Sequence, residues 1–446
     1  MDNSITSGSV WKSIITFSVP YLISYFLQTL YGMADLFIIG QFEGPASITA
    51  VAVGSQIMHM ITVMLVGLAM GTTVRIAQAV GAGDTRRAGR VAGNTAVLFL
   101  GLSVLLACFL VFQIDRIVAV METPSEAAGG TASYLFICFL GIPFITAYNL
   151  ISSIFRGLGN SRTPTYFIAV ACVLNIVLDL LFMGPCGMGP AGAALGTTLA
   201  QAASVAISLF VMKTHRYGLS VTRADLRPSG EVLRSILGVG VPIAVQDGLI
   251  QISFLIITMI ANLRGVTDAA AVGIVEKIIS FIFLVPSSLL STVSSLGAQN
   301  IGAGKPERAR EFLYDAIRIA VFFGGVMIIL MQAAAYGFVG LFTGDQAVVA
   351  AGGPYLKGYI VDCLFAGIHF SFSGYFCACG RSIYSFIHNI VSISLVRIPV
   401  VYLASVSFPG TLLPMGLATS LGSVVSVVIC LFLFRHLKQK EEAAEG

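Results

Sequence analysis

A helix needs about 20 apolar residues to cross a hydrocarbon core of about 30 Å, and this chain of 446 residues offers runs of that kind again and again. Segmented by that length, the sequence gives twelve spans: 14–40, 47–79, 89–112, 130–155, 163–183, 191–212, 233–261, 269–298, 312–341, 354–379, 383–405 and 413–434. With 57% hydrophobic and only 10% charged residues, the chain is far from soluble domains, where about a quarter of residues are charged. The expected fold class is an all-α polytopic membrane protein with twelve transmembrane helices.

The basic residues are spread over short loops, a topological pattern and not a nucleic-acid surface, even though the formal net charge is +4. Loops after even-numbered spans carry Arg86, Arg87 and Arg90, then Arg156 and Arg162, then Lys213, Arg216, Arg223, Arg227 and Arg234, then Lys305, Arg308 and Arg310, then Arg381. Arg435, Lys438 and Lys440 follow the last span, whereas loops after odd-numbered spans offer Arg116, Arg264 and Lys357. Because Lys and Arg remain on the cytoplasmic side, both termini are expected there, in a multi-pass protein of the inner or plasma membrane. Trp11 beside Lys12 suits an interfacial anchor ahead of the first span, which is expected to be retained rather than cleaved. Of the eight cysteines, only Cys186 falls in a loop; the others read as small packing residues, and no histidine stands at ligand spacing from Cys377-Ala-Cys379.

The chain also repeats itself. Val80-Gly-Ala-Gly-Asp-Thr-Arg-Arg-Ala88 recurs 221 residues later as Ile301-Gly-Ala-Gly-Lys-Pro-Glu-Arg-Ala309, and Pro20 and Pro242 echo the shift. An even number of spans per copy makes the two halves parallel repeats. The expected division is an N-terminal six-helix lobe (1–212), a basic cytoplasmic linker (213–232), a C-terminal six-helix lobe (233–436) and a cytoplasmic tail (437–446). The two Gly-Ala-Gly stretches lack the strand, the third glycine and the Gly-Lys-Ser/Thr ending of phosphate cradles, so they read as tight turns between helices.

Within the fifth span, Asn175 and Asp179 stand four residues apart, which places them on one helix face. An ionised Asp in mid-membrane costs on the order of 3 kcal/mol, so such a residue usually serves a purpose. Asp35, in the first span, is a second acid of this kind, and the expectation is that the two meet. Two carboxylates in low dielectric share a proton or hold a metal cation, so either way the pair stores one exchangeable positive charge. Gln28, Tyr31, Gln56, Gln246, Asp247 and Glu276 are candidates to line a substrate cavity. Lys277, adjacent to Glu276, faces another way and reaches for the interface. Asp362 is expected near an interface and solvated, while His59, His369 and His388 read as satisfied helix histidines.

Several of these stretches are similar to one known family. Asp35-Leu-Phe-Ile-Ile-Gly40, the two Gly-Ala-Gly-x-x-x-Arg-Ala loops, and Asn175-Ile-Val-Leu-Asp179-Leu-Leu-Phe-Met-Gly184 followed by Gly192-Ala-Ala-Leu-Gly-Thr197 resemble the multidrug and toxic compound extrusion (MATE) antiporters. The resemblance covers essentially the whole chain. It implies two pseudo-symmetric six-helix lobes in a V, and cation-coupled export of amphipathic, often cationic compounds by alternating access. It also implies that Asp35, Asn175, Asp179 and Thr197 form a cation site in the N-terminal lobe. Leu180 departs from the pattern, which has proline there, so the local bend of the fifth helix is open. Asn175 and Thr197 would add neutral oxygens, suited to Na⁺ or to a network around a proton; the coupling ion is therefore H⁺ or Na⁺, with no other cofactor.

Superposing the repeats by the shift of the two prolines sets Arg397 opposite Asn175 and Val401 opposite Asp179, so the second lobe carries a fixed positive charge where the first carries the acids. Arg397-Ile-Pro399 reads either as a helix-breaking turn with the guanidinium on carbonyls or as a coupling element, and Pro20 and Pro242 are hinge candidates. Two rivals remain. A flippase for lipid-linked oligosaccharides would share the spans but would want several basic residues in its cavity, where only Lys277, Arg318 and Arg397 are candidates. A membrane-embedded enzyme lacks any Ser/His, paired-Asp protease or metal constellation. The expected protein is thus not an enzyme, meets small amphipathic or cationic molecules and lipid, binds no nucleic acid, and is by default a monomer.

Overall fold

A computed structural model describes residues 4–214 and 221–445, and among them there is no strand. Residues 215–220 of the expected linker, Arg216 included, lie outside the described residues. Eleven helices are long and apolar enough to cross a membrane, and a bent pair supplies a twelfth crossing. They are α1 (Val10–Phe42), α2 (Pro45–Gly81), α3 (Thr85–Val111), α4 (Ser125–Gly157), α5 (Arg162–Met183), α6 (Gly189–Thr214), α7 (Gly230–Asn262), α8 (Val266–Gly302), α9 (Pro306–Gly340), α10 (Gln346–Tyr359 with Asp362–Ala378), α11 (Ser382–Ser407) and α12 (Leu413–Glu445). The protein is therefore a multi-pass membrane protein. Outer helix faces present Leu105, Phe112, Phe322 and Ile329, each more than two-thirds exposed; in a bilayer such side chains meet lipid tails as apolar as themselves.

Three spans differ from the simple reading. The tenth begins at Gln346, earlier than expected, and its two halves meet at 41°. The eleventh contains a π-helical turn, Ser392–Arg397, directly ahead of Pro399. A proline inside a helix lacks a donor and crowds the carbonyl four residues back, and a widened turn accommodates both defects. The last helix continues to Glu445 through the stretch expected as a tail.

The Gly-Ala-Gly stretches are tight turns, and the reason is visible in their backbones. Gly83 (φ 72°) and Gly304 (φ 70°) are left-handed. The following amides, Asp84 N and Lys305 N, reach back to the carbonyls of Ala79 and Asn300 at 2.9 Å each. This is the bonding of a glycine-terminated helix end, where a residue without Cβ accepts the left-handed conformation without strain. Gly159 (φ 85°) and Gly380 (φ 69°) close α4 and α10 in the same way, with Asn160 N on Phe155 O at 2.9 Å and Arg381 N on Phe376 O at 2.8 Å. The second pair of glycines is again 221 residues apart, an echo of the repeat that the short motif did not display.

The chain forms two compact units, Val19–Ala244 and a second from Val245 onward that also takes in the described residues up to Ser18. Both boundaries fall inside continuous helices, within a few residues of Pro20 in α1 and Pro242 in α7. Each unit thus receives the lead-in to the first helix of the other repeat. In the first unit, the segment before α7 folds as a short 3₁₀ turn, Arg223–Leu226, capped by Thr222 and Asp225; hydrogen bonds from Thr222 hold the exposed Asp225 carboxyl below the usual carboxylate range. Asn94 on α3, fully buried, grips that segment by donating to Asp225 O (3.0 Å) and accepting from Ser229 N (2.6 Å). The N-terminal half of α7 then lies backbone to backbone on α2. A Cβ on Gly71 would sit 2.2 Å from Ile236 O, and one on Gly240 2.3 Å from Leu68 O, so small residues are required at this crossing. In the second unit, Arg308 donates to the carbonyls of Ile5 and Gly8, and Lys305 Nζ donates to Thr6 O at 2.7 Å.

Asn94→Ala should lower stability by about 2 kcal/mol, because it removes one donor and one acceptor from buried backbone partners. Arg90→Ala, which loses a more exposed bond to Ser229 Oγ, should cost less than about 1 kcal/mol. Thermal unfolding of the detergent-solubilised protein, together with the rate of proteolysis between residues 221 and 229, measures both.

Candidate functional site

The first unit brings together the four residues expected to meet. Asp35 comes from α1, Asn175 and Asp179 from one face of α5, and Thr197 from α6. Asp35 and Asn175 are each 2% exposed and Asp179 is fully buried. Thr197 Oγ1 donates to Asp35 Oδ2 at 3.2 Å; Asn175 Nδ2 donates to Thr197 Oγ1 at 3.3 Å and to Asp179 Oδ2 at 3.2 Å. This polar chain crosses three helices and uses one oxygen of each carboxylate. The other oxygens, Asp35 Oδ1 and Asp179 Oδ1, are buried with no partner, as is Asn175 Oδ1. A buried acceptor without a partner costs about 1–3 kcal/mol, more if charged, so the arrangement favours a positive charge placed among these oxygens.

Space for the second acid comes from a glycine. A Cβ on Gly196 would fall 2.1 Å from Asp179 Oδ1, far inside van der Waals contact. Only a residue without a side chain lets α6 approach the carboxylate this closely. A Cβ on Gly192, one turn earlier, would stand 3.2 Å from the backbone of Phe182 on α5. The Gly-x-x-x-Gly-Thr stretch therefore seats α6 against the acid face of α5 and delivers the Thr197 hydroxyl to it. α5 is a single helix from Arg162 to Met183 with Leu180 in its last turn.

Other candidates are scattered. Tyr31 lies near the four, its hydroxyl 3.5 Å from Gln201 Nε2; Gln28 is part-buried further along α1, and Gln56 is exposed. In the second unit, Gln246 is buried and accepts from Ser385 Oγ at 2.7 Å, Asp247 is part-buried, and Glu276 accepts from Thr258 Oγ1 at 3.1 Å while Lys277 points outward. Pro20 and Pro242 lie inside unbroken helices. Among the described residues no group of three or more His, Cys, Asp and Glu is disposed to hold a metal ion.

Three expectations need correction. Asp362 is not solvated: it is fully buried at the start of the second half of α10, with neither oxygen partnered, because the bend turns this helix start into the unit. The Arg397 guanidinium rests on aromatic groups and not on carbonyls. It donates to Tyr359 Oη and lies 5.2 Å from the Phe254 ring centre and 5.7 Å from that of Tyr359. His388 is satisfied by Ser373 and Ser426 at 2.9 Å each, but His369 Nδ1 is buried without a partner. Gly196 and Gln201 were given no role by sequence reasoning. For Gln201 a signal existed, since it is a polar residue one helical turn beyond Thr197 in an apolar span.

A chain whose described residues form helices and no strand, with an internal repeat and with paired acids buried in its first copy, has the build of a secondary transporter. The family model described as MatE matches it twice, over residues 20–181 and 242–403: the chain belongs to the MatE family. It is 29% identical over 395 residues to the "Probable multidrug resistance protein YpnP" of Bacillus subtilis (strain 168), covering 88% of each. To the "Multidrug export protein MepA" of Staphylococcus aureus (strain NCTC 8325 / PS 47) it is 26% identical over 448 residues, covering 98% of this chain and 97% of that one. Its fold matches the solved "Outward-facing conformation of a multidrug resistance MATE family transporter of the MOP superfamily", with a TM-score of 0.92 at 23% identity, over 99% of this chain and 98% of the other.

Gly196→Ala should displace the Asp179 carboxylate and break its bond to Asn175 while leaving the protein inserted. Cation-dependent function is expected to fall at least about tenfold, the scale on which groups that position a ligand act. Gly101→Ala, where no atom lies within 4 Å of the added carbon, should behave as wild type in the same transport assay.

Proposed function

We propose that this protein is a secondary active efflux transporter that exports amphipathic or cationic compounds in exchange for H⁺ or Na⁺ by alternating access. One observation carries the coupling part of this reading: two buried carboxylates joined through Thr197 and Asn175, with three acceptor oxygens left unpaired. Such a site is most stable when it holds one positive charge and least stable when empty in an apolar lobe. A cation arriving from outside neutralises the pair, and this favours a different position of α1, the helix that carries Asp35. Pro20, at the point where α1 passes from one unit to the other, is the natural place for the bend. The substrate then loses affinity and leaves.

The names of the relatives support the class of cargo, and amphipathic compounds need chiefly apolar and aromatic surface with few fixed polar contacts. The lysine and arginine bias supports cytoplasmic termini in the cell membrane, and the protein acts as a monomer in this reading. No covalent chemistry is required of it.

Efflux of a cationic dye from everted vesicles, with proton and sodium gradients imposed separately, tests the proposal. Wild type should respond to at least one gradient, and Asp35→Asn should lose that response. Equal efflux by Asp35→Asn, or indifference of the inserted wild type to both gradients, would overturn it and direct attention to lipid-linked sugars.

A further inference from the structure

Beside the four residues lies a narrow crevice, too tight for a free water molecule, lined by Tyr31, Ala171, Asn175, Thr197, Ala200 and Gln201. Its wall is mostly small or apolar, and its one polar side chain outside the site and Tyr31 is Gln201. That residue is 5% exposed, and its Oε1 is buried with no partner. The Tyr31 hydroxyl takes the amide nitrogen, so the oxygen is the end left for the crevice. Gln201 also stands one helical turn from Thr197 on the same face of α6.

Four buried oxygens in this region are therefore without a donor: Asp35 Oδ1, Asn175 Oδ1, Asp179 Oδ1 and Gln201 Oε1. A proton bridges two oxygens. A hard metal cation takes several at once, with neutral amide oxygens serving beside carboxylates. Resting on the cation reading above, we infer that Gln201 is a specificity-determining residue of this site: its amide oxygen receives an alkali cation entering past Tyr31, replaces part of its hydration shell, and makes the site take Na⁺ and not a proton alone.

The test uses the purified full-length protein in lipid nanodiscs at one fixed pH, with NaCl exchanged for choline chloride at constant ionic strength. The thermal unfolding midpoint is followed for wild type, Gln201→Leu, Gln201→Glu and Asp35→Asn. Wild type should be stabilised by Na⁺ and Asp35→Asn should not. In Gln201→Leu the Na⁺ concentration giving half the effect should rise about 10- to 100-fold, the range seen when a group supporting a metal site is removed, with unfolding in choline unchanged. Gln201→Glu, which keeps an oxygen and adds charge, should lower that concentration; should the leucine variant fail to fold, this variant decides alone. An unchanged Na⁺ response in Gln201→Leu, or a raised or unchanged concentration in Gln201→Glu, overturns the inference and leaves the cation site standing. A wild type that ignores Na⁺ but responds to pH through Asp35 also overturns it while sparing the wider reading. A wild type indifferent to both, matching Asp35→Asn, removes both.

Discussion

Burying two carboxylates side by side in an apolar helical lobe costs several kcal/mol on membrane insertion scales, and much of the first unit answers that cost. The Thr197 hydroxyl donates to Asp35, and the Asn175 amide donates to Asp179 and to Thr197. Gly196 yields its side-chain volume to Asp179, and Gly192 allows α5 and α6 to approach closely enough for Thr197 to reach Asp35. None of these residues completes the solvation of the acids. The incompleteness leaves buried acceptors that a positive charge would satisfy, whereas a fully satisfied network would offer none.

The two repeats treat charge differently at matching positions. In the first unit Asn175 keeps a buried oxygen without a partner, whereas at the matching position of the second unit the Arg397 guanidinium is tethered and held by Tyr359 and the face of Phe254. Acids accompany it there as well, the half-buried Glu276 and the buried Asp362, both with unpartnered oxygens. At this position one copy of the repeat thus carries a fixed positive charge, and the other a neutral amide beside two acids.

The spans, the repeat and the four clustered residues were legible in the sequence because each depends on local pattern: apolar length, a recurring turn motif, and polar residues at helical spacing. The left-handed glycines at the Gly-Ala-Gly turns follow from the same local rules. What lay hidden depends on tertiary packing. The burial of Asp362 comes from a bend in α10 that no proline at the break announces. Arg397 finds aromatic partners supplied by two other helices. The role of Gly196 emerges only when α5 is placed against α6, because a glycine in a membrane helix reads equally well as ordinary packing. Gln201 was readable by its spacing from Thr197, yet a lone amide in an apolar span carries little weight until its oxygen is seen to lack a partner.

The traded lead-ins bear on how such a chain is made. Ile5 and Gly8 are bound by Arg308, about 300 residues further along, so their partners leave the ribosome only when two-thirds of the protein has been synthesised. Until then the start of α1 has no finished surface on which to settle. The first unit likewise lacks part of α7 until translation has passed the middle of the chain. Neither unit is a self-contained product of one repeat's stretch of message: the first is complete only once the chain has run to Ala244, and the second holds its opening segment in waiting until its own helices follow.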